Sequence, residues 1–366
     1  MSRSFIFIIL VLVTSDCIEP YNFRIINNQP TLVVEAQISN VSFIESKDYP
    51  SDGRYFKVRI AYTSDVININ DEPISNAVIT LYDDTDNSWL YNQNPEEPGN
   101  YYLYDDFFKV DAKRKYKLQI QLSNGSIYES EFEKSNNAIA PSMGALDFIE
   151  TTIQAYDIEI GEKVIKDKNG IDVGISIRSN EQKKPLYYRW DFEPTWIYTA
   201  PFGSIARTDY KCWVSSKYYL NNTELLEDHI GGYRKDLFFM ETTRNNRIYE
   251  EISILITQYS MTEAYYNYWK EMKEQTLKGR IFDSPPFNLY TNIDCINCDS
   301  SVSGYFGVVE EQATRWYFSR NDLSYVVDNT LRADCSVPFQ DPGPECFSCL
   351  AYPFGNSLNV KPEWWK

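Results

Sequence analysis

Residues 116–132, YKLQIQLSNGSIYESEF, carry the pattern on which the fold assignment turns. Tyr116, Leu118, Ile120 and Leu122 alternate with Lys117, Gln119 and Gln121, the period of a strand with one apolar face. Asn124-Gly125 then reads as the positive-φ pair of a two-residue hairpin turn. Toward the N-terminus the same period recurs in TLVVEAQIS (31–39), YFKVRIAYT (55–63) and NAVITLYDD (76–84), with shorter pieces at WLYN and GNYYLYD. Gly, Pro, Asn and Asp clusters separate these pieces, and no window has a helical period. Short alternating strands with such punctuation predict an antiparallel β-sandwich over residues 31–140.

The segment SNNAIAPSMGA (135–145) marks a boundary, and a larger β-rich domain is expected over 141–366. GIDVGISIRS, LYYRWDFEPTWIY and EEISILITQY read as strands, whereas 199–247 lacks a period and reads as loop. In LYYRWDFEPTWIY, Tyr188, Trp190 and Phe192 share one face opposite Tyr187, Arg189 and Asp191. One long amphipathic helix is predicted at 261–278, with Ser260 and Glu263 as a capping box. Tyr265, Tyr268, Trp269 and Met272 form one helical face, which at this spacing reads as core rather than as a sugar-stacking stripe. Lys278 and Gly279 suit the helix end. After FDSPP, strands resume at GYFGVVEEQ and TRWYFS. The fold class is thus mostly β, an immunoglobulin-like antiparallel β-sandwich followed by a β-rich domain with one helix and a Cys-rich tail. The tail ends in Trp364 and Trp365, candidate contacts for a partner that have packing against the domain as their alternative.

The first 17 residues, MSRSFIFIILVLVTSDC, combine Arg3 with an apolar run from Phe5 to Val13. That run is shorter than the roughly 20 apolar residues a bilayer-spanning helix needs, and it suits a secretory signal. Cys17 directly after it is the expected lipid acceptor, and several acyl chains, palmitate among them, would hold the protein at a membrane. Residues 18–30 read as a tether. Asp16 departs from the small residue usual before a lipidated cysteine.

Behind an export signal the six further cysteines, Cys212, Cys295, Cys298, Cys335, Cys346 and Cys349, read as a disulfide framework of open connectivity. Zinc binding by the two Cys-x-x-Cys pairs is the competing reading. A net charge of -17 and a pI of about 4.6 repel phosphate backbones and exclude nucleic acid as an expected partner. The single histidine, His229, reads as a surface residue, and no serine-hydrolase elbow, phosphate loop or zinc-protease motif is present. DDTDNS (83–88) reads as a solvated turn rather than a calcium loop. No catalytic residue, metal ligand or cofactor is assigned, although a hydrolase built on two carboxylates needs no local motif.

Several segments together carry a resemblance. DEPISNAVITLYDD is similar to the opening strand of carboxypeptidase-regulatory-like and transthyretin-like sandwiches. IEPYNF after Cys17, QPTLVVEAQIS, YKLQIQLSNGSIYESEF, ITQYSMTEAYYNYWKEM, GRIFDSPP, GYFGV and CFSCLAYPFGNSLNVKPEWW resemble domain-of-unknown-function family 4249, lipoproteins of Bacteroidota. The likeness spans nearly the whole mature chain; Asp16 and the extra Cys295/Cys298 pair are departures. The resemblance implies an outer-membrane, lipid-anchored protein whose expected partner is a TonB-dependent transporter, and it supplies no catalytic residues. The expected function is accordingly that of a non-enzymatic accessory or ligand-capture lipoprotein. A structural or adhesive envelope role and a carboxylate-based hydrolase are the alternatives.

Overall fold

A computed structural model describes residues 30–63, 72–135, 140–159, 161–181, 184–277, 289–337 and 341–366. The signal segment with Cys17, most of the tether, the Lys278-Gly279 helix stop and the FDSPP segment lie outside the described residues. The N-terminal part contains β1 (Leu32–Ser39), helix α1 (Phe43–Lys47), β2 (Phe56–Tyr62), β3 (Glu72–Pro73), β4 (Val78–Asp83), β5 (Ser88–Gln93), β6 (Asn100–Leu103), β7 (Tyr116–Gln121) and β8 (Ile127–Ser130). There follow β9 (Leu146–Glu159), β10 (Glu162–Ile177), β11 (Leu186–Thr199), β12 (Lys211–Ser215), β13 (Glu224–Asp228), β14 (Tyr233–Glu241) and β15 (Ile252–Met261). Helix α2 (Glu263–Leu277), β16 (Ile293–Cys295), β17 (Val302–Phe318), α3 (Leu331–Asp334) and β18 (Asn356–Leu358) complete the order. The protein is mostly β.

The alternation at 116–122 holds: Tyr116, Leu118, Ile120 and Leu122 are buried. The turn differs from the expectation. Only Gly125 has positive φ, and Leu122 and Ser126 close a three-residue loop around it. A left-handed glycine ending a three-residue loop meets the strand twist as well as the two-residue turn would.

Strands β1 to β8 do not stand alone. Fifteen strands form one sheet along the path β16-β8-β7-β4-β5-β6-β2-β1-β17-β15-β11-β12-β18, with β3 and β13 attached at its sides. The path therefore crosses the boundary read at 140/141. Within it β5 pairs with β4 through its first residues and with β6 through Asn92 and Gln93. The two legs on either side of β5 meet in one apolar cluster, where Ile79, Leu81, Leu118 and Ile120 join Val34, Val58, Ile60 and Phe306. Strand β17 links the two parts of the chain: residues 302–309 run parallel to β1, and residues 310–318 pair antiparallel with β15.

In the stretch read as loop, 199–247, the chain forms β12, β13 and β14. These strands are short or broken by polar residues, so their period does not emerge locally. Strand β14 joins β10 and β9 in a second, three-stranded sheet. The apolar residues of that sheet, Ile171, Val173, Ile175, Leu237, Phe238 and Met240, pack on Trp190, Phe192, Trp196, Ile252, Ile254 and Ile256 of the large sheet. Strand β15 is buried along its whole length because it lies in the middle of the large sheet. The β9–β10 hairpin extends beyond its pairing with β14, which ends at Gly170. Its outer part exposes Tyr156 (74%), Ile158 (70%) and Ile165 (61%).

Helix α2 starts after a longer β15 than the sequence suggests. Ser260 and Met261 belong to that strand, and the Thr262 hydroxyl accepts from the Tyr265 N–H at 3.4 Å, so Thr262 rather than Ser260 caps the helix. Tyr265 and Tyr268 are buried, and Trp269 and Met272 pack beside them, against Tyr259 and Tyr305. No helix among the described residues is long and apolar enough to cross a membrane.

Candidate functional site

Strand alternation puts two kinds of side chain on the two faces of β11, β15 and β17. One face carries Trp190, Phe192, Trp196, Ile252, Ile254, Ile256 and Phe318 into the core. The other carries three aligned rows: Arg189–Tyr259–Glu311, Asp191–Thr257–Ala313 and Glu193–Leu255–Arg315. In the sequence these polar residues look like an ordinary solvated face. In the fold all of these except Arg189 and Tyr259 form the floor of a cleft of about 870 Å³.

Sequence-distant segments wall the floor. The turn after α1 contributes Tyr49, Asp52 and Arg54; the 213–223 region contributes Trp213 and Lys217; α2 contributes Trp269; the C-terminal tail contributes Pro362 and Trp364. Strand β13 pairs with residues 186–190 of β11, and β12 with residues 195–199. Residues 191–194 therefore have no strand partner on that side among the described residues. This gap admits Pro194 in an otherwise central strand, since its missing N–H would break a ladder elsewhere.

Charges in the cleft nearly balance. Asp52, Asp191, Glu193 and Glu311 stand with Arg54, Lys217 and Arg315. Glu311 is buried (3% exposed) and pairs with Arg54; it also accepts from the Ser39 hydroxyl at 2.7 Å. Arg315 forms no ion pair among the described residues. Its Nε donates to the Pro50 carbonyl at 2.5 Å, its Nη1 donates to Ser253 Oγ at 3.2 Å, and its guanidinium stacks on Trp364 at 3.6 Å. Burial pulls Arg315 down to about 10, an effect only partly offset by Tyr317, Glu193 and Asp52. Glu193 lines the cleft and is exposed there. Partial desolvation by the surrounding protein raises its carboxyl above the usual range, despite Arg54 and Arg315 nearby. Next to the cleft, Arg189 lies between Trp269 and Tyr259, 4.0 Å and 4.6 Å from their ring centres, and bonds Asp191 at 2.9 Å.

The cysteines pair as Cys212–Cys349, Cys295–Cys298 and Cys335–Cys346. The first bond ties the tail to β12, and β18 then pairs with β12 to set the tail along the cleft. The two terminal tryptophans do not form an exposed pair. Trp365 is buried (5%) against Trp213 and Tyr317. Trp364 borders the cleft, and its indole N–H donates to Asp52 at 2.9 Å. His229 is exposed, 3.1 Å from Glu227, and does not line the cleft. In DDTDNS, Asp83 accepts from the Thr85 and Asn87 backbone N–H groups, both at Oδ1, and so closes the turn itself. Among the described residues no three His, Cys, Asp or Glu side chains cluster as metal ligands.

Asp191 reads in the sequence only as part of a strand face, and Glu193, Arg315 and Arg54 carry no functional signal there. The one local signal was Pro194 inside the strand LYYRWDFEPTWIY, which marks an unpaired edge. Neither a curated protein nor a solved structure matches the chain. The family model described as a domain of unknown function, DUF4249, matches residues 18–315. The chain belongs to the DUF4249 family.

Proposed function

We propose that this protein is an outer-membrane lipoprotein, anchored through acyl chains on Cys17, that captures ligand as a non-enzymatic accessory of a TonB-dependent transporter. The single observation that carries the capture role is the cleft of about 870 Å³ on the β11–β15–β17 face. Its size is that of a site for a compact organic ligand, and Asp191, Glu193, Glu311 and Arg315 within it sit on strands. The signal-like segment before Cys17 supports the anchor, and the family resemblance supports the transporter. The two legs of strands sharing one core support the immunoglobulin/transthyretin-like reading of the N-terminal part. The aromatic stripe of α2 supports its reading as an amphipathic helix.

The test is purification of the tagged lipoprotein from its own outer membrane in mild detergent, with mass spectrometry of what accompanies it. One TonB-dependent transporter at near-equal amount is expected; recovery of the lipoprotein alone would overturn the accessory role. Turnover of a bound ligand, lost on replacing a cleft carboxylate, would overturn the non-enzymatic part. A second reading, a structural or adhesive envelope protein, is favoured by the outer β9–β10 ribbon with exposed Tyr156, Ile158 and Ile165. A two-stranded ribbon is marginal alone and gains from covering its apolar face.

A further inference from the structure

The cleft has three properties that together restrict its ligand. Its charges nearly cancel, in a chain of net charge -17. Glu193 and Arg315 stand in one row across the floor on either side of Leu255, so a carboxylate ligand near Arg315 faces Glu193 and an ammonium near Glu193 faces Arg315. Its border is aromatic, with Trp213, Trp269 and Trp364 around the polar floor.

We propose that the cleft binds a neutral oligosaccharide of a few rings, with Glu193 and Arg315 hydrogen-bonding its hydroxyls and Trp364 and Trp213 packing on its sugar faces. This rests on the reading of the cleft as a capture site. A sugar hydroxyl both donates and accepts, so it can satisfy a carboxylate and a guanidinium at once; a simple anion or cation cannot. Planar carboxylate, guanidinium and amide groups match vicinal hydroxyl pairs in a two-pronged way. Asn221, Asn222 and Asn356 add amides that can do both. The C–H face of a pyranose is apolar and packs on an aromatic ring. The volume of about 870 Å³ holds more than one ring.

Binding is read by tryptophan fluorescence and calorimetry on the mature full-length protein in detergent. The probes are malto-, cello-, xylo- and manno-hexaose, with oligogalacturonate and mixed hexapeptides as competitors in class. Saturable binding of at least one neutral hexaose is expected. Glu193→Gln should weaken it about 10-fold or more, as loss of a charge-assisted hydrogen bond does. Trp364→Ala should weaken it comparably, and His229→Ala should leave it unchanged. Glu193→Gln keeps the side-chain shape at a solvent-reached position, and near-UV circular dichroism checks that each variant is folded. Binding of oligogalacturonate or peptide alone, with the same variant sensitivity, overturns the oligosaccharide while the capture role stands. Binding of no probe also overturns it, and the transporter association is then judged by its own purification test. Neutral-hexaose binding untouched by both cleft variants overturns the site.

Discussion

Four hydrogen bonds reach the Asp83 carboxylate, from the Thr85 N–H, the Thr85 hydroxyl, the Asn87 N–H and the Asn87 amide, at 2.8–3.0 Å. Burial opposes the charge, but these donors outweigh it and hold the group at about 2. A carboxyl depressed on folding stabilises the fold above its unfolded pKa and loses that contribution as pH falls through the folded value. Asp83→Ala should therefore cost about 1–2 kcal/mol at neutral pH. The gap to wild type, read from urea midpoints, should narrow between about pH 4 and pH 2; a gap independent of pH would refute this. Glu133 has the opposite sign. Burial raises its carboxyl, although Asn292 and Tyr305 donate to it at 2.9 Å. Its contribution is complete below the unfolded pKa and is lost as pH rises through the raised folded value. Glu133→Gln keeps an acceptor for both donors without the charge. It should be more stable than wild type at pH 8 and equal to it at pH 4. A variant weaker than wild type at pH 8 would show that the charge is needed.

The GYFGV element gains its meaning from what lies on it. Gly304 has φ +101, and a Cβ there would lie 1.9 Å from the Val34 carbonyl oxygen across the parallel β1–β17 pairing. At Gly307 a Cβ would lie 2.2 Å from the Tyr265 ring, so α2 lies directly on the strand. Gly307→Val should displace the helix and destabilise the protein by about 1–3 kcal/mol, as overpacking of a filled contact does. Denaturant unfolding with near-UV circular dichroism would detect it, and an unchanged midpoint would mean that α2 adjusts freely. The Cys212–Cys349 bond closes a sequence separation of 137 and holds the tail against β12. Replacing both cysteines with Ser should cost about 2–5 kcal/mol. It should also loosen the tail that carries Trp364, which would appear as faster proteolysis after residue 349. Equal protease resistance would show that β18 and Trp365 suffice.

The large sheet makes the two parts of the chain interdependent. Leu32 to Ser39 pair with Val302 to Val309, and Ile293 to Cys295 pair with Tyr128 to Ser130. Phe306, Val308 and Ile293 complete the core under the N-terminal strands. Expressed alone, residues 31–140 would expose the β1 edge and an unfilled core. Such a fragment should aggregate or remain without a cooperative transition. A monomeric fragment with a sharp thermal transition would show that the N-terminal strands fold independently.

The β character, the N-terminal strands and the buried face of α2 were legible from residues 32–39, 116–122 and 265–272, because strand and helix periods are local properties of the chain. The cysteines behind an export-like segment likewise pointed to disulfides before any pairing was known. Partner choice was not legible. Which strand lies beside β1, and which cysteine meets Cys212, depend on the free energy of the whole packed core. The cleft was hidden for a related reason. Asp191, Glu193 and Arg315 alternate with apolar residues just as solvent-facing residues do, and a strand pattern is the same whether that face meets bulk water or a walled cleft. Only folding brings the turn containing Arg54, the α2 tryptophan and the C-terminal tail around them, across hundreds of residues of chain.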